Sequence, residues 1–174
     1  MFSPVRLVQL SIFLFSTHLV ICKLEFTNIK CVTFDPEFAV FDYCFLKSVN
    51  RTYKYYSLKV KLLKTPVTNV KINIATFQRL NGYKLFLYNV TVDGCRFYKN
   101  QRSNPVFSYF FNFFIAYSNL NHSCPYDHDI ILEKVSISHV TNVLPVPHGD
   151  YLYRADWYAY NIKRDTVDVF AKIY

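Results

Sequence analysis

Apolar residues recur at every second position through most of this chain, and that period dictates extended rather than helical backbone. Over residues 53–63, Tyr56, Leu58, Val60 and Leu62 share one face, and Tyr55, Ser57, Lys59 and Lys61 the other. Over residues 67–77, Val70, Ile72 and Ile74 oppose Asn69, Lys71 and Asn73. Over 83–92, Phe86, Tyr88, Val90 and Val92 oppose Leu87, Asn89 and Thr91. Over 150–160, Tyr151, Tyr153, Ala155, Trp157 and Ala159 oppose Leu152, Arg154, Asp156 and Tyr158, and over 166–174 Val167, Val169, Ala171 and Ile173 oppose Asp168 and Lys172. Successive side chains of a strand point to opposite faces, so each segment reads as a half-buried antiparallel strand. Segments near 24–34 and 39–49 bring the set to about seven. Residues 64–66, 80–82 and 161–165 read as turns. The fold class is therefore all-β, a sandwich of about seven antiparallel strands.

One stretch breaks the period. Residues 105–120 are too long and too evenly apolar for one strand. Asn104 stands as N-cap and Pro105 at the first helical position, so a single aromatic-rich helix is expected here. It carries Phe107, Phe110, Phe111, Phe113 and Phe114, with Phe107, Phe110 and Phe114 on one stripe. A helix apolar nearly all round is buried or faces apolar material on more than one side.

Cysteine usage sets the compartment. Residues 1–22 open with Arg6 and an apolar run from Leu7 to Phe15, broken by Ser16, Thr17 and His18. This is the pattern of a signal peptide, expected to be removed before Lys23. Behind it lie Cys31, Cys44, Cys95 and Cys124, an even set that points to two disulfides and an oxidising, secreted, extracellular location. Four cysteines allow three pairings, and sequence alone does not choose among them. Residues 23–174 have the length of one domain. Asn50, Asn89 and Asn121 each open a glycosylation sequon, placing them at the surface of a secreted chain.

The formal charge is +8, one unit of which is Arg6. Lys54, Lys59, Lys61, Lys64, Lys71 and Lys84 fall on neighbouring strands. They read as a solvated sheet face with lysines guarding edges, against the sharper reading of a surface for acidic lipids or glycans. Nucleic acid is not an expected partner of a secreted, sequon-bearing chain. His122, Cys124, Asp127, His128 and Asp129 cluster in sequence, but their spacing fits no zinc pattern. The sequence carries no nucleophile elbow, phosphate-cradling glycine loop or carboxylate pair, so no enzyme chemistry, catalytic residue, metal or cofactor is expected.

Several motifs in order resemble a known group. They are Leu87–Cys95, with Asp93-Gly94-Cys95 at its end, the Phe-rich run of Phe107–Phe114, Cys124-Pro125-Tyr126, and Leu144–Tyr151 leading into the last strands. Together they resemble the ML-type lipid-recognition domains, which include the Niemann-Pick sterol carrier. They are more similar still to an insect family of secreted proteins that contains the CheB-like chemosensory proteins. The resemblance spans about residues 29–174. It implies an immunoglobulin-like sandwich whose sheets part to admit a lipid, and the pairs Cys31–Cys44 and Cys95–Cys124. The chain departs from the better-known ML domains in lacking a third disulfide and in its inserted helix.

The first functional expectation is a secreted, non-enzymatic binding protein for a lipid or other apolar small molecule. The resemblance adds a chemosensory role and a membrane receptor as a second partner. Tyr56, Leu58, Val60, Ile72, Ile74, Phe86, Tyr88 and Trp157 would line the cavity, with Phe107, Phe110 and Phe114 supplied by the helix and Phe110 and Phe114 as its lid. The alternative is a sandwich with a filled core that acts through its surface, as an adhesion or receptor-binding module.

Overall fold

Two antiparallel sheets face each other across an apolar interior in the computed structural model, which describes residues 23–51, 53–137 and 146–174. The strands are β1 (Leu24–Thr33), β2 (Ala39–Ser48), β3 (Lys54–Leu62), β4 (Val70–Leu80), β5 (Gly82–Asp93), β6 (Ile130–Val135), β7 (Gly149–Ala159) and β8 (Ile162–Ile173). Five form one sheet in the order β1-β8-β7-β4-β5, and three form the other in the order β2-β3-β6. The protein is an all-β sandwich. Residues 1–22, with the expected signal peptide, and residues 138–145, with the start of the Leu144–Tyr151 motif, lie outside the described residues.

The inward faces follow the alternation. Val70, Ile72, Val92, Tyr151, Ala159, Val167, Ala171 and Ile173 are buried on the larger sheet, and Tyr56, Leu58 and Val60 on the smaller. Each CH2 taken out of water contributes about 0.8 kcal/mol, which fixes strand register, because a one-residue slip would turn every inward side chain outward. On the outward face of the larger sheet, charged pairs stand among apolar side chains such as Leu152, Phe77 and Phe170. Arg154 donates from Nε and Nη2 to both carboxylate oxygens of the buried Asp168 at 2.7 and 2.8 Å. Two disulfides, Cys31–Cys44 and Cys95–Cys124, are formed. The first ties β1 to β2 and so joins the two sheets.

Several expectations are corrected. An eighth strand, β6, pairs with β3. It is short, and Lys134 sits at a φ of 54° where the register with β3 shifts, so its alternation is broken. The 161–165 turn is tighter than expected. Tyr160 and Asn161, at φ of 54° and 63°, make a two-residue hairpin turn of the kind that matches strand twist, and β8 begins at Ile162. Tyr55 and Ser57, expected to face water, are buried. Ser57 Oγ accepts from the Lys134 amide at 2.9 Å and donates to Glu133, so groups of the neighbouring strand β6 enclose the Ser57 hydroxyl.

The lysines do not share one face. Lys54, Lys59 and Lys61 lie on β3 and Lys71 and Lys84 on β4 and β5 of the other sheet. Lys54 pairs with Glu25 at 2.7 Å, Lys61 with Asp42 at 2.7 Å, and Lys59 with Asp129 at 3.2 Å and Asp42 at 3.6 Å.

The aromatic-rich helix expected within residues 105–120 is present, and a shorter helix precedes it. Asp93 caps α1 (Gly94–Lys99) by accepting from the Arg96 amide, and Asn104 caps α2 (Pro105–Phe114) by accepting from the Phe107 amide. The second helix stops short of residue 120, passing into a 3-10 turn at Ile115–Tyr117. Its buried stripe is Phe107 and Phe111, four residues apart, closing on Phe97 of α1 at ring distances of 4.6 and 5.3 Å.

Candidate functional site

Between the sheets lies a cavity of about 260 Å3. Its lining includes Tyr56, Leu58 and Val60 from β3, Ile72 and Ile74 from β4, Phe86 and Tyr88 from β5, Phe107, Phe110 and Phe114 from α2, and Trp157 from β7. They occupy it for different reasons. The β3 and β4 residues stand at alternate positions on facing sheets. Phe110 projects from α2 to meet Tyr88 at 6.0 Å and Tyr153 at 6.2 Å, while Phe107 turns its other side into the α1–α2 core. Phe110 and Phe114 remain half-buried. Periodicity did not find Val67, Leu120 or Tyr126, which reach the cavity from loops. A bridge between Val67 and Tyr126 pins two of these loops together.

The β5 edge carries the largest departure from simple alternation. Ala75 faces Asn89 but Phe77 faces Leu85, so Phe86, Leu87 and Tyr88 together oppose Thr76. This bulge holds Leu87 at a φ of 64° and brings it to the cavity lining beside Phe86 and Tyr88, although alternation assigns it to the opposite face. Bulges re-aim side chains in this way. Leu87 is at once a lining residue and 59% exposed, so the cavity meets solvent along this edge.

The charged groups at the lining are engaged. Arg154 is held by Asp168, whose hydrogen bonds and charge raise the guanidinium's affinity for its proton. Arg164 pairs with Asp35 and stacks over the Phe38 ring, 4.1 Å from its centre, although its Nε is buried without a partner. Asp165 accepts from Thr33 Oγ1 at 2.6 Å, and burial pushes its carboxyl above the usual range. Tyr56 is 8% exposed, and burial pushes its phenol up, so it stays protonated.

Residues 72–153 match a family model described as Protein of unknown function (DUF1091). No curated protein matches the chain. The DUF1091 stretch runs from β4 into β7. It carries both helices, the Cys95–Cys124 bond and the β5 bulge, and so supplies one cavity wall with its helical cover. Tyr56, Leu58, Val60 and Trp157 lie outside it.

The 122–129 cluster forms a polar clasp. His122 and His128 approach Nε2 to Nε2 at 2.8 Å, and Asn119 Nδ2 reaches His128 Nδ1 at 3.0 Å. Asn119 Oδ1 accepts from the Ile131 amide, tying the clasp to β6. Cys124 is in its disulfide, and no group of three or more His, Cys, Asp or Glu side chains among the described residues is placed to hold a metal. The sequon asparagines Asn50, Asn89 and Asn121 are exposed. Among the described residues no helix is long and apolar enough to cross a membrane.

Proposed function

We propose that this protein is an extracellular, non-enzymatic binding protein that holds a lipid or similar apolar molecule between its sheets. The observation that carries the reading is the apolar cavity of about 260 Å3. Left empty, such a volume costs on the order of 6 kcal/mol at about 24 cal/mol per Å3, a large part of the roughly 5–15 kcal/mol that stabilises a typical domain. An alkyl chain in the same space gains about 0.8 kcal/mol per buried CH2. The half-buried Phe110 and Phe114 are suited to act as a movable cover, and the exposed Leu87 marks the edge where a ligand enters. The disulfides and exposed sequons support an oxidising compartment. The similarity to ML-type and CheB-like proteins supports an apolar ligand and, more distantly, a chemosensory role with a membrane receptor.

Native mass spectrometry of protein secreted from cultured cells tests the reading. The expected result is an adduct of lipid mass that is absent from Ala155→Phe, a variant that fills the space between Tyr153 and Trp157. Secreted protein that carries no adduct and binds no apolar fluorescent probe would refute it.

A second reading, action through the surface alone, draws on the β4–β5 hairpin, where Leu80, Tyr83, Leu85 and Leu87 are all exposed. A binding partner whose affinity falls with Leu80→Ser and Leu85→Ser but not with Ala155→Phe would favour it.

A further inference from the structure

The tip of the β4–β5 hairpin is apolar on both of its faces. Leu80, Tyr83 and Leu85 are 65%, 39% and 56% exposed. Register pairs Leu80 with Gly82, Arg79 with Tyr83, Gln78 with Lys84 and Phe77 with Leu85, so these side chains sit together at one turn. Phe77 lies on the outward face, its ring 5.6 Å from the Arg154 guanidinium, and Gln78 pairs with the cavity-lining Tyr151. Alternation therefore sends Tyr83 and Leu85 outward and Leu80 to the other side. The pairing of β4 with β7 ends at Gln78, and the tip runs on past it.

The charge on this hairpin has one sign. No acidic residue lies between Phe77 and Leu87, and Arg79 and Lys84 are both exposed. Arg79 reaches Asp150 only at 4.0 Å, and Asp150 stands opposite Lys172 in the ladder. Lys84 opposes Gln78 rather than a carboxylate. Leucines and a tyrosine flanked by arginine and lysine suit the headgroup layer of an anionic bilayer. The apolar groups leave water there, and the long basic stems carry their charge to the phosphates. A protein partner fits less well. A stable protein interface uses about 20–30 residues a side, far more than the tip offers, and a partner seated on one face would leave the other in water.

We propose that the β4–β5 hairpin is a membrane-docking element whose tip enters the headgroup layer of an anionic phospholipid bilayer. The cavity edge lies close behind it. Leu87 belongs both to the cavity lining and to the exposed surface. It is two residues from Leu85, at most roughly 7 Å at the strand rise of about 3.4 Å per residue. With the tip among headgroups, the edge where a ligand enters faces the layer that holds lipid, so cargo need not cross free water. The sequon Asn89 lies beyond Leu87, away from the tip, so a glycan there leaves the tip clear. Docking stands on the hairpin itself; its use in loading the cavity rests on the proposed binding function.

The test is co-flotation of the secreted full chain with vesicles of phosphatidylcholine, alone or mixed equally with phosphatidylserine, beside N-phenyl-1-naphthylamine fluorescence in solution as the cavity probe. Wild type should float with the mixed vesicles, and less with phosphatidylcholine alone or at high salt. Leu80→Ser combined with Leu85→Ser should weaken binding to the mixed vesicles by about tenfold or more. Lys84→Gln should weaken it about 5-fold, the effect of one basic residue beside an anionic surface. All three positions are exposed, so Tm and naphthylamine affinity should stay at wild-type values. Leu63→Ser, at a similarly exposed leucine just past β3, should leave flotation unchanged. No flotation with the mixed vesicles, or flotation that the hairpin variants do not change, overturns the inference. Light scattering that shows a wild-type dimer, a monomeric leucine variant and no flotation also overturns it, and assigns the hairpin to a second copy. If naphthylamine still binds in these cases, this inference alone fails; if it does not, the cavity function fails as well. Hairpin-dependent flotation without naphthylamine binding upholds docking and counts against the cavity function alone.

Discussion

Phe107 and Phe110 are three residues apart on one helix, yet their truncations should read out differently. Phe107 is 1% exposed and sits edge-on to Phe97 at 4.6 Å. Phe107→Ala removes a fully buried ring from a close-packed cluster and should cost about 3–5 kcal/mol. For a domain of this size each kcal/mol lowers Tm by about 2–4 °C, so a fall of roughly 10–15 °C is expected. Phe110 is half-buried and already borders open volume, touching Tyr88 and Tyr153 at ring distances near the far limit of aromatic contact. Its truncation enlarges an existing space rather than creating one and should cost about 1–2 kcal/mol. Removing its ring from the cavity wall takes away on the order of 50–100 Å2 of apolar contact, worth about 1–2 kcal/mol and roughly tenfold in probe affinity. Phe110→Ala combined with Phe114→Ala should therefore still secrete while losing most naphthylamine binding. Asn112→Ala, at an exposed position of α2, is the control and should stay within about 0.5 kcal/mol of wild type. Urea denaturation and probe titration on the same preparations separate the two effects. A Phe110→Ala protein as destabilised as Phe107→Ala, or a folded double variant with unchanged probe binding, would refute the division of the helix into a core stripe and a cavity cover.

Breaking the Cys95–Cys124 bond frees a loop whose closure contributes about 3–4 kcal/mol in the chain-entropy account, so Cys95→Ser should sharply lower secreted yield; non-reducing peptide mapping checks the pairing directly. Asp165 holds its proton more tightly folded than unfolded, because burial raises its pKa. Its contribution is therefore fully present below the unfolded carboxyl range and is lost as pH rises through the folded value. Asp165→Asn, which keeps an oxygen for Thr33 Oγ1, should raise Tm at neutral pH and change it little in acid; an unchanged Tm at neutral pH would show that the Thr33 bond and Arg164 already offset the burial. Asn50→Gln and Asn89→Gln should each remove the mass of one glycan from protein made in a secretory host, read by gel shift, and absence of both shifts would count against translocation of the chain.

Much of the architecture follows from local chemistry that any segment of the chain carries in itself. Alternation over residues 53–63, 67–77, 83–92, 150–160 and 166–174 assigns strands and inward faces because side-chain direction in a strand depends only on position parity. Asn104-Pro105 marks the start of α2 because a cap needs just a side-chain oxygen and a residue without an amide hydrogen. The same parity argument names the cavity's facing residues, from Tyr56, Leu58 and Val60 on one sheet to Ile72, Ile74 and Trp157 on the other. What alternation does not carry is anything that depends on two distant segments meeting. The β6 strand, broken at Lys134, becomes a strand because β3 offers it a partner. The β5 bulge at Leu87 exists because three residues must oppose Thr76, and it turns a residue from the water face to the cavity. The division of the phenylalanines, Phe111 to the core, Phe107 to both core and lining, and Phe110 and Phe114 to the lining, waits on where Phe97 and Tyr153 arrive. Above all, the sequence sets how much apolar surface is available, but the separation of the two sheets decides whether it packs shut or encloses a cavity, and that spacing is set by the helices, loops and inter-sheet disulfide acting together.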